Sequence, residues 1–141
     1  MITNERQYAI TRARAEQFKE SLARSSDSGK NLDSIVRGAM RLGLQSQLKD
    51  LKAQITDYEA LKAGNKRKFV SNSLADLPVG LIKARIARGL TQKELAEKLN
   101  IDERQIQRYE STRYEGAALR RLQEVADALN LKIREEITLE R

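Results

Sequence analysis

The sequence predicts an all-α fold in two helical halves, closed by one short C-terminal β-strand. Three observations carry this expectation. Apolar residues recur at steps of three and four through most of the chain, the spacing of one face of an α-helix. The only proline, Pro78, follows the stretch GNKRKFVSNS (residues 64–73), which has no helical period and divides the helices into two groups. The last residues, LKIREEITL, instead alternate apolar and polar side chains, as a strand with one buried face does. The expected organisation is a helical N-terminal domain over residues 1–63, a basic linker over 64–76 and a second domain over 77–141.

In the first half, Tyr8, Ala15, Phe18 and Leu22 share a face, and Thr11 stands where a cap would open a helix running to about Arg24. SSDSGKN (25–31) reads as a loop. Leu32, Ile35, Val36, Ala39 and Met40 predict a short helix ending near Gly43. Leu44, Leu48, Leu51, Ile55 and Tyr58 then form a coiled-coil-like seam of about two heptads. Two readings of this seam stand side by side. It packs on the first helix as an antiparallel hairpin or small bundle with its own core, or it faces a second copy or another protein.

The linker carries Lys66, Arg67 and Lys68 in succession, with a short extended piece expected at Phe69–Val70. Beyond it lie four or five short helices, a five-helix domain in all. Val79, Ile82 and Ile86 mark the first, stopped by Gly89. Thr91 with Glu94, and Asp102 with Gln105, have the spacing of capping boxes, which predicts helices over about 92–99 and 103–110. Asn100 between them tolerates a left-handed turn, and small Ala96 lets the two helices approach closely. Leu95, Leu99, Ile101 and Ile106 supply their shared core. After a loop at 112–116, Leu119, Leu122, Val125, Ala126 and Leu129 pattern an amphipathic helix ending at Asn130. In the tail, Leu131, Ile133, Ile137 and Leu139 alternate with polar residues. A lone strand cannot satisfy its own backbone, so this one needs a partner strand.

Composition narrows the chemistry. The chain of 141 residues holds 27 Lys and Arg against 20 Asp and Glu, a net +7, with neither His nor Cys. Residues 1–76 carry 14 basic and 9 acidic side chains, and residues 77–141 carry 13 and 11. A basic balance favours a polyanionic partner. The missing His and Cys remove disulfides, zinc sites and His-based acid–base catalysis. No phosphate-cradling glycine loop and no defensible carboxylate pair occur either, so no enzyme, cofactor or metal is expected. Aromatic residues make up only 4% and Trp is absent, which argues against a base-stacking surface. No apolar run reaches the ~20 residues of a membrane span, and the N-terminus lacks a signal-peptide core. The expected location is the cytoplasm, associated with the nucleoid.

Two capped helices joined by a tight turn form a helix-turn-helix pattern. On a wheel of the second helix, Ile106 and Tyr109 point inward, Arg104, Gln107 and Arg108 point outward, and Glu103 lies at the N-terminal tip. Arg can fork onto guanine, Gln onto adenine, and Glu can accept from cytosine in a major groove. The same side chains are also ordinary solvent-facing helix formers. The tight turn, the capping pattern and the basic charge favour DNA.

The residues LIKARIARGLTQKELAEKLNIDERQIQRYE and LRRLQEVADALNL, within 77–131, resemble the Xre-type helix-turn-helix domain of lambdoid phage repressors and many bacterial regulators. The resemblance implies that Gln92 holds a DNA phosphate with its side chain and backbone amide, at a helix N-terminus that favours anions. It implies that Glu103, Arg104 and Arg108 read bases. Arg85 and Glu110 match a structural ion pair tying the first helix of the domain to the end of the recognition helix. Thr91, Lys93, Gln107 and Arg113 complete the candidate DNA-binding set. Asn100 stands where the family usually has glycine.

The first half, ending in DYEALKAG, resembles HigA-type antitoxins, which implies repression of the chain's own operon and neutralisation of a ribosome-dependent ribonuclease toxin. Relatives also pair C-terminal strands across a homodimer. The leading expectation is therefore a dimeric, sequence-specific repressor bound to an inverted-repeat operator in double-stranded DNA, with a toxin as possible partner. The alternatives are a bridging, coactivator-like protein-interaction module and an ordinary regulator without a toxin.

Overall fold

A computed structural model describes residues 1–25 and 33–141. The expected loop at 25–31, beyond Ser25, and the expected apolar contact of Leu32 lie outside the described residues. Those residues form α1 (Glu5–Ser25), α2 (Ser34–Lys62), a 3₁₀ turn (Leu74–Asp76), α3 (Leu77–Ala87), α4 (Gln92–Leu99), α5 (Glu103–Ser111) and α6 (Leu119–Ala128). They make two compact units, Met1–Ala60 and Leu61–Arg141.

In the first unit, α1 opens at Glu5 rather than near Thr11. Asn4 is the cap: its side-chain oxygen accepts the Gln7 N–H at 2.8 Å. Thr3 adds two bonds to the Gln7 side-chain oxygen, from its N–H at 2.8 Å and its hydroxyl at 3.0 Å. Thr11 instead donates its hydroxyl to the Gln7 carbonyl at 2.8 Å, a back-bond that a threonine inside a helix can make. The second correction concerns Gly43, which does not end a helix: α2 runs unbroken through it. A glycine inside a helix costs only about 1 kcal/mol, which the packing of the following seam offsets.

That seam packs within the chain. Leu48 and Tyr58 are buried, as is Ala15 on α1. The rings of Tyr8 and Tyr58 lie 5.2 Å apart. The Tyr58 hydroxyl donates to the Glu5 carboxylate at 3.1 Å, and the Tyr8 hydroxyl donates to Glu59. The carboxylate that accepts the Tyr8 proton, with help from burial, raises the phenol's pKa. The start of α1 thus meets the end of α2, and the pair is antiparallel. Ile35, Val36 and Met40 contribute no core; all three are exposed.

In the second unit α3 is apolar nearly all round: Leu81, Ile82, Ala84 and Ile86 are buried. Such a helix must be enclosed. It packs on α6 and on the 3₁₀ turn, while α4 packs on both α5 and α6. Leu95 and Ala96 of α4, Ile106 of α5, and Val125 and Ala126 of α6 are buried with it, and so is Leu129 just beyond. Burying an aliphatic side chain of this size stabilises by about 1.5–3 kcal/mol. The 3₁₀ turn is the only candidate for a fifth helix, so the domain holds four α-helices among the described residues. Leu119, the first residue of α6, departs from its pattern and is exposed.

The C-terminal strand is not formed. Residues 131–141 have no regular structure, and Ile137 and Leu139 are exposed. Among the described residues no strand exists for the tail to pair with, and unpaired backbone has no ladder to join. Alternation of side chains describes a face, and without a partner it does not make a sheet.

Candidate nucleic-acid interface

Local chemistry sets the two central helices. Thr91 accepts the Glu94 N–H at 3.1 Å, and Glu94 accepts the Thr91 N–H at 2.7 Å, a reciprocal capping box. The bond from the Thr91 backbone lowers the pKa of Glu94. A depressed carboxylate stabilises the fold above its unfolded pKa and loses that contribution as pH falls through its folded value. At α5 the expected box is only half made. Asp102 accepts the Arg104 N–H at 2.8 Å, and Gln105 does not reach back.

Between them, Asn100 takes the left-handed conformation, φ 54°. Its N–H reaches the Glu97 carbonyl and the Ile101 N–H reaches Ala96, a Schellman ending. The same pattern closes α3 at Gly89 (φ 72°) and α6 at Asn130 (φ 51°). Asn therefore supplies two of these endings without the glycine's loss of backbone entropy.

The outward face of α5 carries Arg104, Gln107 and Arg108, all exposed, while Ile106 and Glu110 are buried. Glu103 is half-buried and accepts from the Gln107 amide at 3.3 Å, so two candidate readers hold each other in the free protein. Among the described residues neither Arg104 nor Arg108 is in an ion pair. Tyr109, expected in the core, is half-buried and stacks on Tyr114 at 5.3 Å with the rings nearly parallel.

Thr91 and Lys93 are exposed at the start of α4. Gln92, expected to offer its side chain to a phosphate, is turned inward and buried. Its amide nitrogen donates to Glu110 at 2.8 Å. There it joins Arg85, which forks onto the same carboxylate through Nε at 2.6 Å and Nη2 at 2.8 Å. Arg85 Nη1 also donates to the Leu90 carbonyl at 2.7 Å. One buried carboxylate thereby ties together α3, the α3–α4 turn, the first residue of α4 and the end of α5. The resemblance to the Xre-type domain had implied the pairing of Arg85 with Glu110. Nothing in the sequence distinguished an inward from an outward Gln92, because both positions suit the first turn of a helix.

Arg113 occupies an unexpected conformation. It fills the left-handed position of a Schellman ending on α5, with φ 53°, and Tyr114 follows at φ 57°. Two consecutive left-handed residues that are not glycine cost about 1–2 kcal/mol each. Tyr114 holds them: it is buried against Tyr109, and burial together with the nearby Glu110 charge raises its phenol pKa strongly. Arg113 itself is exposed. Arg113→Gly is therefore expected to leave stability unchanged or raise it by up to about 1 kcal/mol, while removing a cation beside α5. Urea unfolding checks this, and a loss of stability would show that the Arg113 side chain supports the loop.

Two arginines that sequence reasoning left out also lie here. Arg120 and Arg121, opening α6, line a concave surface with Arg108, Tyr109 and Glu115. Glu124 partly neutralises both, at 3.5 and 2.8 Å. The dipeptide RR at the start of the helix after the expected loop was the available signal.

Among the described residues no group of acidic side chains is placed to hold a metal ion, and no helix is long and apolar enough to cross a membrane. Comparison with known families shows that residues 81–135 match the helix-turn-helix family, from within α3 into the tail. No curated protein and no solved structure matches the chain.

Proposed function

We propose that the chain is a transcriptional repressor that binds a specific double-stranded DNA site as a homodimer. The observation that carries this reading is the exposed, unpaired Arg104 and Arg108 on the second helix of a matched helix-turn-helix, backed by a rigid buried ion pair. Arg104, Arg108, Gln107 and Glu103 are the base readers, with Gln107 and Glu103 exchanging their mutual bond for base edges. Thr91, Lys93, the α4 backbone N-terminus and Arg113 face the phosphates.

A recognition helix of this length reads only a few base pairs, so a second copy is needed to specify a site in a genome. The tail offers the means, since Ile133, Ile137 and Leu139 are exposed and its backbone lacks a strand partner. The strand absent from the single chain would form only between two tails. Selection from a pool of random duplexes tests the reading. The expected winner is an inverted repeat with half-site centres about 34–36 Å apart. Enrichment of no sequence would favour the protein-interaction module. Deleting residues 131–141 should weaken dimerisation and operator binding together, and a tailless dimer of full affinity would exclude the tail as the contact.

A narrower role as antitoxin rests on the HigA-type resemblance of the first half alone. Its test is growth rescue by this chain when the reading frame beside its gene is induced. A neighbour that is not toxic would leave an ordinary regulator.

A further inference from the structure

Lys66, Arg67 and Lys68 form the one run of three consecutive basic residues in the chain. All three are exposed, and among the described residues none is in an ion pair. The Lys66 ammonium lies 5.4 Å from the centre of the half-buried Phe69 ring, where cation–π attraction holds it on the segment.

This segment is not a free tether, because both its ends are seated on α3. A Cβ on Gly64 would stand 3.4 Å from the carbonyl oxygen of Ala87, the last residue of α3. A Cβ on Gly80, near the start of α3, would stand 3.7 Å from the Ser71 hydroxyl. Past Ser71 the chain is held again: the Asn72 N–H and the Ser73 hydroxyl both donate to the Asp76 carboxylate, at 3.3 and 3.1 Å. Residues 64–71 therefore run back along α3, from its C-terminal end towards its N-terminal end. Helix residues 80 to 87 advance about 10 Å at 1.5 Å per residue. The strap has seven steps of chain to cover that distance, up to about 23–25 Å when extended. The strap is therefore not stretched taut, and its exposed cations sit in its middle.

The geometry points to this strap as a second DNA contact: Lys66, Arg67 and Lys68 bind phosphates of the duplex outside the bases that α5 reads. The inference rests on the DNA-binding function proposed above. Its position supports it, since the strap departs from Ala87, where the α3–α4 turn begins and leads to the α4 N-terminus that faces phosphate. Energetics support it as well. Three neighbouring cations without an internal counter-charge repel one another, and a polyanion relieves that repulsion while releasing its own counterions. Because the ends are already pinned, ordering the strap on DNA costs less entropy than ordering a free linker would. The contact is to backbone alone and adds affinity without sequence preference.

The test compares the full chain with a K66Q/R67Q/K68Q variant, on the selected operator and on a random duplex, across a series of salt concentrations. The slope of log K against log salt is expected to fall by about 2–3 units, at ~0.9 per phosphate contact, with both duplexes weakened by the same factor. The melting temperature should not move, because the three side chains are exposed, and K66R/R67K/K68R should keep the full slope. An unchanged slope would overturn the proposal, as would a loss confined to the operator. A wild-type chain that bound neither duplex at any salt would overturn the DNA-binding reading itself, and the strap contact with it.

Discussion

Glu110→Ala is expected to cost about 3–5 kcal/mol, a large fraction of the roughly 5–15 kcal/mol that stabilises a small domain. The carboxylate accepts from Arg85 Nε, Arg85 Nη2 and Gln92 Nε2, at 2.6, 2.8 and 2.8 Å. The side chains of the ion pair are only 3% and 1% exposed. Removing Glu110 leaves the guanidinium buried without its counter-ion, since the Leu90 carbonyl offers a dipole and not a charge. Removing Arg85 instead strands the carboxylate, so Arg85→Ala should be similarly severe.

The loss comes from an uncompensated charge rather than from a large net value of the pair. The double variant Arg85→Met with Glu110→Leu should therefore regain much of the stability that either single change destroys. Urea unfolding of the wild type, Arg85→Met, Glu110→Leu and the double variant closes a double-mutant cycle. If either alanine variant kept its unfolding midpoint but lost DNA binding, the pair would belong to the interface and the structural assignment would fail.

Arg104→Ala should act in the opposite manner, leaving the fold intact and cutting affinity for the operator by about 1–3 kcal/mol, roughly five- to 150-fold. Its side chain is exposed, and its structural duty lies in its backbone: the N–H that Asp102 caps at 2.8 Å survives the substitution. A guanidinium that forks onto a base contributes mainly where that base is present. Discrimination at one base pair of each half-site should therefore collapse, while binding to random duplex stays close to wild type. An equal loss on both duplexes would move Arg104 to the phosphate-contacting residues, beside Lys93 and the strap.

Affinity titrations of both duplexes at one fixed salt concentration decide between these outcomes, because losing a base contact weakens the operator alone whereas losing a phosphate contact weakens both duplexes. Gln107 makes a useful contrast. Its amide already bonds Glu103 at 3.3 Å, so Gln107→Ala frees Glu103 as it removes a reader, and its effect mixes the two.

Much of the central motif was present in the sequence because its determinants act within four or five residues. The Thr91–Glu94 box, the left-handed Asn100 and the stop at Gly89 are bonds between near neighbours, and α4 and α5 begin where those bonds place them. The pairing of Arg85 with Glu110 was also available, through resemblance to a known family, and the outward face of α5 followed from its period. Other features depended on what each residue happens to meet in space. Thr11 and Asn4 are both plausible caps, and only the start of the helix chose between them. Gly43 could end a helix or be carried through one, and α2 carries it through. Leu119 fits the apolar stripe of α6 yet remains exposed at the start of the helix. Gln92 suits a phosphate site and a buried network equally well, and the packing of α4 on α5 turned it inward. The tail has the alternation of a strand and, among the described residues, no strand beside it to complete a sheet. Caps and turns are local hydrogen-bond chemistry, fixed by residue type and spacing, whereas burial and strand pairing require a second surface that no single stretch of sequence specifies.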